Sequence, residues 1–427
     1  MPIRIITTRV EFEGEISEQR VVMEGDEPPV WGADAALSVV GKAIPRVDGR
    51  ERVSGAAQFT YDVQLPGMLV AAGLRSPHPH ARVVRVETSR AEAAPGVRAV
   101  YTRFNTGDLL NPNNKRPIFA EELLFQGQEV AVVLAETRRQ AAEALRLIEV
   151  EYETLPFVVD PEAAIAPDAP RVESARENNS ISDEWPKTYE RGDVERGFAE
   201  ADVVIETRFT TEANLHNSME THGATANWDG HTLTVWSSTQ DIFGVRQQVA
   251  TALNLQQNQV HVIKRYMGGG FGSKFGAHNA GVFAAWAAYK LGRPVKYMLS
   301  REEENLAAGN RPPSVQSYKI GAKRDGSLTA IELRAVGNIG ALGAWFSSVG
   351  MPAKEMYLCP NVRSIDVPAR TNLGTQASFR APGVVEGIAG LDVALDDLAR
   401  ALEMDPLELR RKNYAPRYQL IDKPYAA

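Results

Sequence analysis

The sequence predicts an α+β protein with more than one domain. The chain has 427 residues, of which 44% are apolar, and a single hydrophobic core stops growing near roughly 250 to 300 residues. Short helix and strand patterns alternate in the first third of the chain, whereas long strand patterns dominate after a proline-rich segment at 161–188.

The part of the chain before that segment divides into an extension and a compact α+β domain. Residues 1–38 are rich in Glu and contain short alternating apolar runs, which predict a small β excursion that docks on a partner. Residues 39–160 predict the compact domain. Its strand patterns lie at 57–63, 69–74, 97–101, 129–134 and 150–152, and its helix patterns begin at Ser89 and Thr137.

A linker and a second domain follow. Residues 161–188 contain four prolines and little apolar periodicity, which is typical of an interdomain linker. Residues 189–427 form the second predicted domain, in which Asp405 before Pro406 indicates a capped final helix. Its strand patterns lie at 203–214, 233–237, 260–264, 318–322 and 328–336, with an Ala-rich helix at 280–291.

Charge and hydropathy argue against two classes of partner. The formal net charge is −7 and no polybasic run occurs, so we expect neither nucleic acid nor a membrane surface as a partner. No stretch approaches about 18 consecutive apolar residues, and the first residues lack a signal-peptide pattern. We therefore expect a cytoplasmic location.

The cysteine content limits the redox chemistry of the chain. Cys359 is the only cysteine, and one thiol makes neither an intrachain disulfide nor an iron–sulfur cluster, which needs about four thiolates. Any electrons released here must pass to another chain. Cys359 itself is expected to be a buried structural thiol.

The most distinctive motif is Met267-Gly-Gly-Gly-Phe-Gly-Ser-Lys274, between a strand pattern and the Ala-rich helix. Glycine lacks a Cβ, so Gly268, Gly269 and Gly270 allow positive φ and bring backbone N–H groups close to an anionic or carbonyl-rich ligand. The spacing matches neither a phosphate loop nor a dinucleotide fingerprint. A tight strand-to-helix turn is the alternative.

Two other groups of residues invite a metal-site interpretation. His216, Glu220 and His222 lie within seven residues, but their spacing is not His-Glu-x-x-His and no fourth ligand is evident. His78 and His80 have no carboxylate or thiol beside them, so a hydrogen-bonded turn is the favoured interpretation. No Gly-x-Ser-x-Gly motif supports acyl chemistry.

Two further segments accompany the glycine motif, Thr234-Val-Trp-Ser-Ser-Thr-Gln240 and Thr371-Asn-Leu-Gly-Thr-Gln-Ala-Ser-Phe-Arg-Ala-Pro-Gly383. With it they resemble the molybdopterin-binding subunit of the xanthine dehydrogenase and aldehyde oxidase family, over residues 39–414. The resemblance implies an α/β hammerhead domain at 39–160. It also implies the first molybdenum cofactor-binding domain at 189–427.

The resemblance also implies roles for individual residues. Gln240 matches the glutamine whose amide contacts an oxo ligand of molybdenum. Phe271 and Gly272 match residues whose backbone approaches the same ligand, beside Gly269 and Gly270, and Arg380 matches an arginine of a second cofactor-contacting loop. The residues expected around molybdenum, outside its own ligands, are Gln240, Phe271 and Arg380. The segment from His216 to His222 would buttress this region.

The implied reaction is hydroxylation of an electron-poor carbon with oxygen derived from water. The implied cofactor is molybdopterin with molybdenum, and its cytosine dinucleotide form is left open. Electrons would leave through a 2Fe-2S subunit and an FAD subunit, which are partner chains. In the family a glutamate from the C-terminal half acts as the catalytic base.

No segment of this chain matches that glutamate, because the resemblance ends near Tyr414. We expect the chain to be the N-terminal part of a split subunit, with the base on a second molybdopterin-binding chain. A truncated chain is the alternative. A non-catalytic cofactor-binding or assembly protein with the same fold is the alternative from another functional class.

The substrate prediction rests on three positions. Phe275 stands where purine-oxidising relatives carry an acidic residue, and Ser348 stands near the place of their arginine, which disfavours xanthine. Ala377 replaces the cysteine of carbon monoxide dehydrogenases. Phe275, Trp345, Phe346 and Pro382 are predicted to form an apolar pocket for an aldehyde or an N-heteroaromatic ring, although the aromatics could equally belong to the core.

Overall fold

A computed structural model of the chain describes residues 3–12, 15–24, 31–32, 34–107, 109–181, 186–421 and 423–424. The strands are β1 Ile3–Phe12, β2 Glu15–Glu24, β3 Leu69–Arg75, β4 Ala81–Glu87, β5 Val97–Thr102, β6 Glu122–Leu123, β7 Glu129–Ala135, β8 Glu149–Thr154, β9 Lys187–Arg191, β10 Val203–Thr211, β11 Gly223–Trp228, β12 Leu233–Ser237, β13 Val260–Ile263, β14 Val295–Met298, β15 Ser314–Ala322, β16 Leu328–Asn338, β17 Asn361–Ala369, β18 Arg417–Tyr418 and β19 Lys423–Pro424.

The helices alternate with these strands. They are α1 Gly49–Ser54, α2 Ser89–Glu92, α3 Arg138–Leu145, α4 Pro161–Ala164, α5 Val194–Glu200, α6 Ile242–Leu253, α7 His278–Leu291, α8 Arg301–Ala307, α9 Met351–Glu355, α10 Val384–Ala401 and α11 Pro406–Asn413, with short 3-10 turns at Thr60–Asp62 and Gln257–Gln259.

Two larger sheets organise the fold. A seven-stranded sheet has the order β13-β12-β11-β14-β3-β7-β5, and a five-stranded sheet has the order β10-β15-β16-β17-β9. Smaller pairings are the sheet β6-β4-β8 and the hairpins β1-β2 and β18-β19. The hairpin β1-β2 agrees with the β excursion predicted for the extension.

The seven-stranded sheet joins the two predicted domains. β3 and β7 come from the predicted hammerhead region, and β3 pairs in parallel with β14, where Leu69 faces Val295. One side of this sheet packs on α7, whose residues Ala280–Ala288 are almost all buried. A helix that is apolar on all sides is expected to lie inside a core.

The five-stranded sheet packs against α10 in a second core, which includes Ile331, Leu333 and Leu391. Cys359 lies in this core and is 4% exposed. Burial raises the pKa of its thiol to about 11, so the thiol stays protonated and unreactive at neutral pH. This agrees with the structural role predicted for Cys359.

The predicted linker, 161–188, is packed where the structure describes it. Val172 is fully buried, and Asn179 donates from Nδ2 to the carbonyl oxygens of Ala164 and Pro170. The backbone N–H of Arg370, beyond β17, donates to the carbonyl oxygen of Asn179 over 2.9 Å. The segment is therefore fixed to the five-stranded unit.

One predicted strand is wrong. Residues 57–63 form no strand, because Thr60–Asp62 is a 3-10 turn in which the Asp62 carboxylate accepts the N–H of Phe59. The N–H of Tyr61 donates to Glu220, far along the sequence. The alternation of Phe59 and Tyr61 is typical of a strand, but contacts with residues far along the sequence determine the backbone conformation here.

No helix in the described part of the chain is long and apolar enough to cross a membrane. The cytoplasmic location stays a prediction.

Candidate functional site

The candidate site lies where two loops meet, one from each of the two larger sheets. The glycine loop, 264–277, connects β13 of the seven-stranded sheet to α7, and the arginine loop, 370–383, connects β17 of the five-stranded sheet to α10. The N–H of Arg380 donates to the carbonyl oxygen of Phe271 over 2.8 Å. The structure thus brings together the two segments that were singled out in the sequence.

Gln240 holds the glycine loop from the end of β12. Its Oε1 accepts the N–H of Gly272 over 2.8 Å and that of Lys274 over 3.4 Å. Its own N–H donates to the carbonyl oxygen of Lys274 over 2.7 Å. Because the side-chain carbonyl is used in this way, the amide NH2 is the free end of Gln240.

The glycines are required by the protein's own packing. A Cβ on Gly268 would lie 2.5 Å from Cβ of Glu220, and one on Gly270 would lie 2.5 Å from Oε1 of Gln240. A Cβ on Gly272 would lie 2.4 Å from the carbonyl oxygen of Ser378. These glycines were predicted to allow ligand approach, with a tight turn as the alternative, and in the structure they also pack the loop against Gln240, Glu220 and the arginine loop.

Several donors on this surface are free. Within the described part of the chain, no acceptor meets the N–H groups of Gly269, Gly270 and Phe271 or the NH2 of Gln240. The Arg380 side chain is exposed and forms no hydrogen bond or ion pair there. Unused donors beside a permanent cation suit a ligand rich in oxo and phosphate oxygens.

Phe271 sits at the tip of the glycine loop with φ +55°, and its side chain is 48% exposed. Positive φ is rare for a bulky residue and marks a strained backbone held by its surroundings. Ala381, in the facing loop, also has positive φ, at +59°. Both strained residues lie beside the Arg380–Phe271 hydrogen bond.

A buried polar network supports the glycine loop, and no pattern in the sequence indicated the part that Lys274 takes in it. Lys274 is fully buried, and its Nζ donates to the carbonyl oxygen of Glu220 over 2.7 Å and to Oγ of Ser238 over 2.8 Å. The Glu220 carboxylate accepts from Oγ of Ser238 and from the N–H of Gly268, each over 2.9 Å. Desolvation lowers the pKa of Lys274 to about 8, although Glu220 and Glu304 oppose the shift.

Arg311 supports the arginine loop in the same way and was also missed. Its Nη2 donates to the carbonyl oxygens of Phe379 and Arg380 over 2.6 and 2.8 Å, and its guanidinium lies 4.7 Å from the Phe379 ring centroid. Nη1 pairs with the buried Glu386 over 2.8 Å. An apolar pattern gives no sign of such an arginine, because only the tertiary fold brings it to the loop.

The three residues of the possible metal site have separate partners. The Nε2 of His216 lies 2.8 Å from the carbonyl oxygen of Ser378, and the Nδ1 of His222 lies 2.8 Å from Glu304. Glu220 belongs to the Lys274 network. Among the described residues, no group of three His, Cys, Asp or Glu side chains could hold a metal ion. The segment packs against both loops, in keeping with the predicted buttress.

His78 and His80 lie in a hydrogen-bonded turn. The N–H of His78 donates to Oγ of Ser76 over 3.1 Å, and the His80 ring lies between the carbonyl oxygen of Pro156 and the Glu122 carboxylate.

The predicted substrate residues line two separate cavities. Phe275 lines a cavity of about 230 Å³ with Gln376 and Ala377, whereas Ser348 and Pro382 line another of about 360 Å³. Ser348 also donates to Asp366 over 2.6 Å and accepts from Lys354 over 2.9 Å. Its hydroxyl is therefore part of an internal ion-pair network.

Two family descriptions match the chain. Residues 54–156 match the aldehyde oxidase and xanthine dehydrogenase a/b hammerhead domain, and residues 172–414 match the molybdopterin cofactor-binding domain.

Named relatives show the same similarity. A probable hypoxanthine oxidase of Escherichia coli O157:H7 is 33% identical, over 88% of this chain and 44% of its own length. The nicotinate dehydrogenase large molybdopterin subunit of Eubacterium barkeri is 32% identical, over 88% of this chain and 89% of its own length. The chain spans about half the length of most of the relatives it matches.

Among solved structures, quinoline 2-oxidoreductase of Pseudomonas putida 86 is similar in fold. Its TM-score is 0.82 at 29% identity, and the match covers 90% of this chain and 52% of that chain.

Proposed function

The chain belongs to the xanthine dehydrogenase and aldehyde oxidase family, with the hammerhead and molybdopterin cofactor-binding domains of that family, and on this premise we propose that it acts in a molybdenum hydroxylase. The substrate is an aldehyde or an N-heteroaromatic compound, and the oxygen added to it comes from water. The observation that carries the proposal is the set of free donors on Gln240 and the glycine loop, which two buried polar networks hold in place.

These donors fit the cofactor. The free NH2 of Gln240 and the N–H groups of Gly270 and Phe271 offer neutral hydrogen bonds to oxygen atoms, and Arg380 offers a charged one. The donors need no rearrangement, because Gly272, Lys274 and the Arg380–Phe271 hydrogen bond fix their backbone. When bound, the molybdenum cofactor supplies a two-electron oxidation coupled to transfer of oxygen from water.

The remaining functions fall to partner chains. The described residues beside the donors include no carboxylate that is free of a structural partner, since Glu220 is committed to Ser238 and Gly268. The catalytic base is a glutamate on a second molybdopterin-binding chain, and electrons pass to 2Fe-2S and FAD subunits. In support, the Eubacterium barkeri relative is itself named a large molybdopterin subunit, and the match covers 89% of it.

The test begins with the chain purified under native conditions with everything that remains bound. Molybdenum, iron and flavin are measured on the same sample as the masses of the associated chains. We expect molybdenum, iron and a second chain. A metal-free single chain that gains no pterin on co-expression with its genomic neighbours would instead indicate a non-catalytic protein of the same fold.

A matched pair of variants tests the role of Gln240. Gln240→Leu removes the acceptor of Gly272 and the free NH2 at one position, so we expect molybdenum content to fall at least fivefold. Gln257→Leu, at an exposed position in the 3-10 turn before β13, is the control and should retain it. Equal molybdenum content in both variants would show that Gln240 does not contribute to cofactor binding.

A further inference from the structure

An exposed apolar segment precedes the first hammerhead strand. We define it as the strap, residues 39–54, which ends with α1. The structure describes every residue of the strap and buries none of them. Five aliphatic side chains of the strap lie within fifteen positions, and each is at least 55% exposed: Val39, Val40, Ile44, Val47 and Val53. Single exposed apolar residues are normal, whereas a concentration of them marks an interaction surface.

The strap has little structure of its own to support it. α1 is six residues long and buries no side chain, and isolated helices shorter than about 12–15 residues are marginal in water. The described backbone hydrogen bonds of the strap join near neighbours, such as the N–H of Lys42 and the carbonyl oxygen of Val39 over 3.2 Å. A second surface packed on the strap would supply burial that this chain does not provide.

The C-terminal end of the strap is attached to the glycine loop. The Glu51 carboxylate accepts from the hydroxyl of Tyr266, and the Arg52 guanidinium lies 5.3 Å from the centroid of the Tyr266 ring. Tyr266 belongs to the glycine loop and directly precedes the glycine motif. A chain that covers the strap therefore also borders the candidate cofactor site.

A groove of about 440 Å³ continues this surface towards the free donors. Phe59, Met219 and Gly268 contribute to its wall. The Met219 side chain is 90% exposed, and the Phe59 ring packs 5.8 Å from the Tyr266 ring, beside the strap. The groove thus connects the strap with the glycine loop, and a loop of a partner chain inserted there would reach Gly268.

Charge distinguishes between the possible occupants. The strap carries four cations and two anions, a formal charge of +2, whereas the whole chain has −7. These residues are Lys42, Arg46, Arg50, Arg52, Asp48 and Glu51. A second copy related by a two-fold axis would place one basic strap against another, and like charges across an interface are unfavourable. A different chain with an acidic and partly apolar face meets no such repulsion.

The length of the relatives indicates the size of that chain. The matches cover 44%, 50% and 51% of three of the relatives, so about half of each relative lies outside the match. The proposed function assigns the catalytic base to a second molybdopterin-binding chain, and this base must approach the glycine loop from outside the present chain. The strap and the groove border that loop.

We propose that the strap and the adjoining groove are the docking surface for the second molybdopterin-binding chain, which meets them with an acidic and partly apolar face. The identity of this partner rests on the proposed function. The valines of the strap become buried in the complex, and a loop of the partner enters the groove beside Gly268.

The first test is photo-crosslinking in the native complex. Val47 is fully exposed, so Val47→p-benzoylphenylalanine places a photoreactive group on the strap without disturbing the core. We expect a crosslink to a chain of different sequence that matches the molybdopterin cofactor-binding domain. A crosslink to a second copy of this chain, a crosslink to an iron–sulfur or flavin chain, or no crosslink would overturn the proposal.

Charged variants give the second test. Val47→Asp combined with Val53→Asp places two negative charges on the strap, and we expect at least tenfold less of the second chain to remain bound on purification. Val84→Asp combined with Val204→Asp is the control, at exposed valines on β4 and β10, and should retain the second chain. Undiminished retention in a folded strap variant, or an equal loss in the control, would contradict the proposal. If the strap variant fails to fold, the crosslink at position 47 decides.

Molybdenum content, measured on the same samples, separates this proposal from the proposed function. A molybdenum-free complex in which position 47 crosslinks to such a chain would support the docking surface and weaken the hydroxylase. A molybdenum-loaded complex without that crosslink would do the reverse.

Discussion

The backbone N–H of Arg380 donates to the carbonyl oxygen of Phe271 over 2.8 Å, and this hydrogen bond joins the two loops of the candidate site. The loops come from different sheets, and each is held at its base by a buried cation, Lys274 or Arg311. The surface that they form is therefore preorganised without a ligand, as electrostatic recognition of a cofactor requires.

Gly270→Ala should disrupt the site, because the added Cβ atom collides with Gln240. The φ of Gly270 is not positive, so the backbone tolerates alanine, but the new Cβ would lie 2.5 Å from Oε1 of Gln240. Gln240 must then move and lose its bond to Gly272, which we expect to lower the free energy of unfolding by about 1–3 kcal/mol. Molybdenum content should fall as well. Urea unfolding and metal analysis provide the two measurements.

Gly281→Ala is the control for that substitution. Gly281 lies within α7, and its added Cβ would meet nothing closer than 3.6 Å. Alanine in a helix is more favourable than glycine by about 0.5–1 kcal/mol, so this variant should be more stable than the wild type. If the two variants have the same free energy of unfolding and the same molybdenum content, crowding against Gln240 does not explain the effect of Gly270→Ala.

Lys274 should make stability rise with pH. Its pKa is lowered to about 8 in the folded chain, against about 10.4 when unfolded. Between these values the unfolded chain binds more protons than the folded chain, so the free energy of unfolding increases with pH, and below pH 8 this contribution is absent. At ~1.4 kcal/mol per pKa unit the gain reaches at most about 3 kcal/mol.

Lys274→Met removes this contribution. In urea unfolding from pH 7 to pH 10, the free energy of unfolding of the wild type should increase relative to that of the variant above pH 8. Lys290→Met, at an exposed position near the end of α7, should keep the wild-type dependence. A gap that stays constant across the range would mean that Lys274 does not titrate there.

Arg311 should not be replaceable by lysine. Lysine keeps a charge opposite Glu386, but its single ammonium cannot also hold the carbonyl oxygens of Phe379 and Arg380 and stack on the ring. We expect Arg311→Lys to cost about 1–3 kcal/mol. Arg311→Met should cost about 3–5 kcal/mol, because it leaves Glu386 buried without a cation.

The control for Arg311 is Arg400→Lys. Arg400 forms an exposed pair with Asp397, and such pairs contribute less than about 1 kcal/mol. Thermal unfolding of the three variants gives the comparison. If Arg311→Lys loses as little stability as Arg400→Lys, the hydrogen bonds from the Arg311 guanidinium to Phe379 and Arg380 contribute little to stability.

The sequence predicted the elements that depend on local patterns. The strand pattern at 233–237 became β12 with the same bounds, and the strand pattern at 129–134 became the buried β7. Asp405 caps α11 by accepting the N–H groups of Leu407 and Glu408. The predicted hammerhead and molybdopterin-binding fold is confirmed by the matching family descriptions.

Long-range contacts account for what the sequence did not predict. The parallel pairing of Leu69 with Val295 joins segments that carry no mutual signal. Arg311 acts on the arginine loop only because the fold brings it there. Ser348 was chosen by position in the family, but its partner Asp366 lies on β17, which no local pattern indicated. Gln240, Phe271 and Arg380 stay predictions as cofactor contacts.

The strained backbone at Ala381 predicts that replacing alanine by glycine stabilises the chain there, although the same replacement destabilises an ordinary helix. Ala381 has φ +59°, where a side chain costs roughly 1–2 kcal/mol, while glycine adds about 0.5–1 kcal/mol of unfolded-state entropy. Ala381→Gly should therefore raise the free energy of unfolding by about 0.5–1 kcal/mol. Ala142→Gly, at an exposed position inside α3, should lower it by about the same amount. Urea unfolding decides, and a loss of stability in both variants would mean that the arginine loop is not strained at Ala381.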